Sequence, residues 1–283
     1  TGSTGDGYAF AKSFGLKIVE PRQALAPIIV KQNVSALQGI SLKNVNLCAN
    51  DENDKEIASE FGEMLFTNRG LSGPIALTIS SYINRKQNAV LLLDLKPALD
   101  ENTLDRRVLR DFDERKNQDI KNVTRALLPE RLNAYVLKSA GIAESKKVNE
   151  ITKEERAKLV KTIKNLRFDV QSLAPFTEAI VTSGGVDLKC LKPTCESKDV
   201  EGLYFVGETI DVDALTDIAS DQNYSVVILT SDLKYVNSIN ADFLISFNDS
   251  EGKLVTSVIK DNLGDGTAAL AEKGRVRFLV CSV

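Results

Sequence analysis

Three carboxylates follow a glycine late in the chain: Gly207-Glu208, then Asp211 and Asp213. The preceding run, Leu203 to Val206, reads as a short buried strand that stops at Gly207. Glycine lets a ligand approach the backbone closely, and an acid accepts hydrogen bonds from hydroxyls, so this pattern suits a hydroxylated ligand. Upstream, Gly184-Gly185 lies in Thr182-Ser-Gly-Gly-Val186, read as a turn. At the other end, Thr1-Gly-Ser-Thr-Gly-Asp-Gly7 places Gly5, Asp6 and Gly7 before Tyr8, Ala11 and Phe14, which fall at helical spacing, with Gly15 as a stop. A glycine loop feeding a helix N-terminus can face an anion; a tight turn before a surface helix explains the spacing equally well.

Histidine is absent. This excludes Ser-His-Asp and Cys-His nucleophile systems and histidine metal sites. Cys48, Cys190, Cys195 and Cys281 form no framework, which points to a reducing cytoplasm. The spacing of Cys190 and Cys195, with no second pair, reads as inert thiols, and no metal site is expected. The acidic turn Asn50 to Lys55 lacks the glycine and later glutamate of a calcium loop and reads as a solvated hairpin. A net charge of −3 and a pI near 5.3 offer no overall basic field, so no nucleic-acid partner is expected. The longest apolar runs, such as Ala89 to Leu93, are too short to span a bilayer, so no membrane partner is expected either.

The elements that must position these groups fall into blocks. Leu16 to Val19 and Ala24 to Val30 read as strands punctuated by Pro21 and Pro27, followed by short strands over Val34 to Leu47. A further strand ends near Thr67, and Ser72-Gly73-Pro74 opens a helix over Ile75 to Ile83. The N–H groups of that helix start, with Arg69 near it, suit a phosphate or a carboxylate as well as they suit a plain cap. Ala89 to Leu95 is a buried strand. Residues 100–165 then turn helical: Leu104, Val108, Leu109 and Phe112 mark one amphipathic face, Val123 and Leu127 a second, and Leu132, Tyr135 and Val136 a third ending at Gly141. Thr152-x-x-Glu155 is a capping box ahead of Leu159, Val160 and Ile163. The mixed charges of this block read as a solvated face. Strand-like composition returns over Leu166 to Val181. In the tail, 225–230, 241–247, 254–259 and 276–283 are strand candidates separated by turn residues.

Four motifs in order, Thr1-Gly-Ser-Thr-Gly-Asp-Gly-Tyr8, Phe66-Thr-Asn-Arg-Gly-Leu-Ser-Gly-Pro74, Ala179-Ile-Val-Thr-Ser-Gly-Gly-Val186 and Gly202-Leu-Tyr-Phe-Val-Gly-Glu-Thr-Ile-Asp-Val-Asp213, resemble the BaiN-like, aminoacetone-oxidase-family bacterial flavoproteins. The resemblance covers residues 1–216. It implies an α+β multidomain chain: a remnant of a Rossmann-type FAD-binding domain, interrupted by a β-rich, barrel-like domain that carries a helical insertion, with a β-hairpin-rich C-terminal tail. The corresponding boundaries are 1–25 for the FAD-domain remnant, 26–98 and 166–200 for the β-rich domain, 99–165 for the insertion, 201–216 for the return to the FAD domain and 217–283 for the unmatched tail. It implies FAD as cofactor and NAD(P)H as electron donor, with Gly5, Asp6, Gly7, Gly184, Gly185, Gly207, Glu208 and Asp211 at the cofactor: the Gly-Gly pair by the flavin ring and Glu208 by the ribityl chain. Hydride transfer is the flavin's own chemistry and needs no histidine. The Gly-x-Gly-x-x-Gly phosphate loop that opens the family and the Gly-Gly-Tyr-Asn loop that follows the carboxylates are both missing, so the chain is expected to start after the first half-domain and to bind FAD weakly by itself. An FAD-dependent oxidoreductase acting on a small molecule is the expectation; a truncated or fused relative serving as a non-catalytic binding module is the alternative.

Overall fold

The computed structural model describes residues 5–86, 88–211, 243–248 and 254–259. Helix α1 spans Asp6–Ser13. Gly5 precedes it in the left-handed conformation (φ 77°), and Gly15 (φ 77°) ends it, with the Leu16 N–H closing back on the Ala11 carbonyl at 3.0 Å. Strand β1, Ile18–Ala24, then runs straight through Pro21, where the sequence had suggested a break. It belongs to a two-stranded sheet, so it pairs along one edge, and a proline that lacks an N–H is tolerated in such an edge strand.

From Gln23 to Ile180 the chain forms a unit of its own. Strands β2 (Ile28–Val30), β3 (Ser41–Asn50), β4 (Glu56–Phe66), β5 (Gly70–Ser72), β6 (Val90–Asp94) and β7 (Leu166–Leu173) close a barrel in the order β2-β5-β4-β3-β6-β7. Every pair is antiparallel. On β3 the register shifts between Leu42 and Val45, where Asn44 takes φ 54°. That bulge moves the buried set from an even position, Leu42, to the odd positions Val45, Leu47 and Ala49. At β5, a Cβ on Gly70 would lie 1.9 Å from the Ile28 carbonyl oxygen, so only glycine lets β2 and β5 close the barrel.

Helix α2, Pro74–Ile83, buries Ile75, Ala76, Ile79, Ser80 and Ile83 along one face. Its start is packed against β4. A Cβ on Gly73 would meet the Leu65 N–H group at 3.0 Å, and one on Gly62 would meet Ile75 at 2.8 Å, so the helix end is pressed onto β4. Arg69 stands elsewhere, at the tip of the Thr67–Gly70 turn, paired with Glu178 at 3.4 Å.

Between β6 and β7 sit α3 (Glu101–Glu114), α4 (Ile120–Thr124), α5 (Glu130–Ala140) and α6 (Lys153–Lys164). Gly141 caps α5 at φ 73°. The capping box of α6 is complete: Thr152 Oγ1 accepts the Glu155 N–H at 3.2 Å, and Glu155 Oε2 accepts the Thr152 N–H at 2.9 Å. The insertion shares one core with the barrel. Tyr135 of α5 stacks on Phe168 of β7 (6.1 Å, 21°), and Phe168 meets Phe66 of β4 edge to face at 5.9 Å. Lys164 anchors the junction, with its ammonium 2.6 Å from Asp94 and donating to the Lys96 and Leu99 carbonyls.

The other unit comprises Thr1–Arg22 and Val181–Val283. Strand β8, Val181–Val186, pairs with β1. It contains the Gly-Gly pair that the sequence suggested as a turn. Leu203 to Val206, expected as a strand, makes only a single bridge, Glu196 to Tyr204, while Phe205 is buried with Ala11, Leu16, Val186 and Leu191. Strands β9 (Phe243–Asn248) and β10 (Leu254–Ile259) form an antiparallel hairpin, as the turn residues between them indicated. The tail strands expected at 225–230 and 276–283 lie outside the described residues. No helix among the described residues is long and apolar enough to cross a membrane.

Candidate functional site

The candidate residues gather around β8. A Cβ on Gly184 (φ 99°) would lie 2.6 Å from the Glu20 carbonyl oxygen of β1, and one on Gly185 (φ 136°) would lie 2.5 Å from the Thr209 carbonyl oxygen. The two glycines thus let backbone approach β8 from both directions. The 207–211 segment lies beside β8 in parallel sense: Val186 bridges Ile210, and the Asp211 N–H donates to the Val186 carbonyl at 3.0 Å. Chain packing therefore requires glycine at both 184 and 185. Gly207 differs, because it takes φ 68° with nothing among the described residues within 4 Å of where a Cβ would stand.

Glu208 sits in a short 3-10 turn, Gly207–Thr209. Its Oε2 accepts the Thr182 N–H at 3.3 Å, and its backbone carbonyl accepts the Tyr8 hydroxyl of α1 at 3.1 Å. Burial pushes its carboxyl above the ordinary range, opposed by the Thr182 N–H. Tyr8 and Thr182, which sequence reasoning passed over, therefore hold Glu208 from two elements, Tyr8 at its backbone carbonyl and Thr182 at its carboxylate. Their only signal was membership of the quoted motifs. Gly5 and Gly7 lie at the start of α1, Gly7 buried, and Asp6 occupies its first turn. Asp211 continues from the turn and is engaged with another residue.

This donor set fits a polyhydroxylated chain. It has a half-buried carboxylate with one oxygen anchored, an open glycine next to it and a second acid at a helix start. It fits a phosphate poorly, because Asp6 places negative charge where an anion would approach α1.

Residues 22–181 match the family described as HI0933-like protein barrel and H2TH domain, the segment just seen as barrel plus helical insertion. The chain belongs to this family. The family is related to flavin-dependent oxidoreductases. Among relatives, the chain is 32% identical over 217 residues to a ribosomal RNA dihydrouridine synthase of Haemophilus influenzae and 30% identical over 216 residues to one of Escherichia coli, in each case 75% of this chain and 51% of the relative. It is 24% identical over 219 residues to a 3-dehydro-bile acid delta(4,6)-reductase of Clostridium scindens, 76% of this chain and 53% of the relative. The chain thus spans about half the length of the curated relatives it matches.

The expectation that nucleic acid is excluded is overturned by the two relatives named for ribosomal RNA. That expectation rested on whole-chain charge, which averages two unlike parts. Residues 22–181 carry 25 Lys and Arg against 21 Asp and Glu, a balance of +4, while the remainder carries 11 against 18, a balance of −7. A total of −3 conceals a basic family domain.

Proposed function

We propose that this chain contributes the barrel, the insertion and part of the cofactor site of a flavin-dependent reductase that saturates a carbon–carbon double bond, with RNA uridine as substrate. The observation that carries this reading is the likeness, over three quarters of the chain, to two proteins named for making dihydrouridine in ribosomal RNA. The more distant bile acid reductase is also named for reducing double bonds. The shared chemistry is therefore the addition of two hydrogens across an unsaturated bond, and the balance of +4 on residues 22–181 suits a polyanionic substrate.

FAD would supply the hydride, with NAD(P)H as its source. In this reading Glu208, positioned by Thr182 and Tyr8, accepts hydrogen bonds from the ribityl hydroxyls. Gly207 would leave room for them, and Gly184-Gly185 would stand by the flavin ring. Gly5, Asp6, Gly7 and Asp211 complete the polar surround on the same unit. Nucleoside mass spectrometry of ribosomal RNA tests the function. A host lacking the gene should lose dihydrouridine and regain it on complementation; unchanged dihydrouridine refutes the reading. Titrating the purified chain with FAD, followed by flavin absorbance, tests the cofactor separately.

A further inference from the structure

At one end of the barrel, β2, the Thr67–Gly70 turn and β7 enclose a cleft of about 400 Å³ whose lining includes Gln32, Asn33, Asn68, Arg69, Gln171 and Ser172. Its polar lining is four carboxamides, one guanidinium and one hydroxyl, set beside the aliphatic Ile29, Val30 and Val34. The turn that carries Asn68 and Arg69 is tightly held: the Thr67 N–H donates to the Gly70 carbonyl at 2.9 Å, and the Gly70 N–H donates to Thr67 Oγ1 at 3.0 Å. The Arg69 carbonyl accepts the Val30 N–H at 3.1 Å, which ties the turn to β2. Gln32 is locked as a floor, donating to Asp169 Oδ2 at 2.7 Å and accepting the Asp169 N–H at 2.9 Å. Asn33 accepts from Ser35 through Oδ1, and its NH2 group takes no partner among the described residues. The carboxamides of Asn68 and Gln171 take no partner among the described residues, and Arg69 is held only by its exposed 3.4 Å pairing with Glu178.

Lys31 and Arg167 stand at Asp169, which Gln32 and Arg167 already engage, and Arg131 of α5 donates to the carbonyls of Ala36 and Gln38 at 3.1 and 3.0 Å. A guanidinium beside carboxamides that each offer a donor and an acceptor is the pairing that recognises a phosphate next to a base edge.

We propose that this cleft is a nucleotide subsite for a single-stranded segment of RNA, with Arg69 on a backbone phosphate and Asn33, Asn68 and Gln171 reading the adjoining base and 2′-hydroxyl. It rests on the RNA reading above and adds where the strand lies. Glu178 holds Arg69 in the absence of RNA and gives it up to the phosphate.

Fluorescence anisotropy with a labelled ten-nucleotide uridine RNA, titrated into the whole chain at several salt concentrations, tests this. Arg69→Gln should weaken binding about 10-fold and reduce the slope of log affinity against log salt by about 0.7, the share of one phosphate on a single strand. Glu178→Gln should tighten binding several-fold, an effect that damage to the fold would not produce. Gln171→Ala should weaken the uridine strand more than an adenosine strand. Circular dichroism melting checks that these exposed substitutions leave the fold intact. If the wild-type chain binds RNA and Arg69→Gln matches it in affinity and slope, the cleft assignment falls while the RNA reading stands. If the wild-type chain binds no RNA, both fall. If uridine monophosphate or NADPH protects the cleft while RNA binding ignores Arg69, the site serves free nucleotides and the proposal is overturned.

Discussion

Gly185→Ala is the substitution that most directly tests how the carboxylate turn is held. The new Cβ would stand 2.5 Å from the Thr209 carbonyl oxygen and 2.9 Å from the Ile210 carbonyl carbon, at φ 136°. Holding an alanine in that backbone region costs about 1–3 kcal/mol. Forcing β8 and the 209–210 backbone apart costs about 1–3 kcal/mol more. Stiffening of the unfolded chain returns about 0.4–1 kcal/mol. The net loss is about 1–6 kcal/mol, a sizeable share of the stability of an ordinary domain. Gly207→Ala is the matched control: at φ 68° with no described residue within 4 Å of the new Cβ, it carries the left-handed penalty of about 1–2 kcal/mol against the same return. The assay uses the cysteines the chain provides. Cys190 and Cys195 are half-buried in the same unit, and Cys48 is half-buried in the barrel. Alkylation across a urea series, read by peptide mass spectrometry, gives each unit its own midpoint. Gly185→Ala should lower the Cys190 and Cys195 midpoints by about 1–2 M urea, and Gly207→Ala by much less. Equal midpoints for the two variants would refute the argument that packing, rather than a ligand, requires glycine at 185.

Phe168→Ala should destabilise the barrel by about 3–5 kcal/mol, because the ring is fully buried between Phe66 and Tyr135; the Cys48 midpoint reads it. Thr152→Ala should cost α6 about 1 kcal/mol, seen as faster amide exchange over its first turn. Burial, reinforced by Glu56, pushes the Cys48 thiol up to about 11, so its native-state alkylation at pH 8 should run about 100-fold slower than that of a thiol titrating at 9.0, and Glu56→Gln should speed it. Glu208, raised by burial, contributes stability that is fully present below the ordinary carboxylate pKa and is lost as pH rises through its own raised value. Glu208→Gln should therefore flatten that decline in urea midpoint between acid and neutral pH, while weakening FAD about 10-fold in an absorbance titration. A pH profile identical to the wild type would show that the carboxyl is not desolvated.

Much of the barrel and insertion was legible because local signals agreed there. The Thr152 capping box, Gly141 at the end of α5, Pro74 at the start of α2 and the continuous apolar run of β6 each point to one answer. Where long-range packing decided, local reading failed. Gly184-Gly185 looks like a turn until Glu20 and Thr209 are seen to need the space, and Leu203 to Val206 looks like a strand until its partner proves to be a single bridge. The candidate carboxylate was visible as Gly207-Glu208, but its two supports come from residues 26 and 200 positions away. The basic character of the family domain was visible as well, had charge been counted by segment.

The barrel enters and leaves at one place: the Ile180 N–H donates to the Leu25 carbonyl at 3.2 Å. This bears on the order of folding. A ribosome adding about 5–20 residues per second leaves β1 without its partner β8 for on the order of ten seconds. Closing a flexible loop of about 160 residues to join them would cost about 4 kcal/mol in chain entropy. A barrel that folds first brings its two ends together and removes most of that cost, so β1 and β8 meet as the flanks of a finished module. Destabilising the barrel should then slow the formation of a sheet that contains none of its core residues.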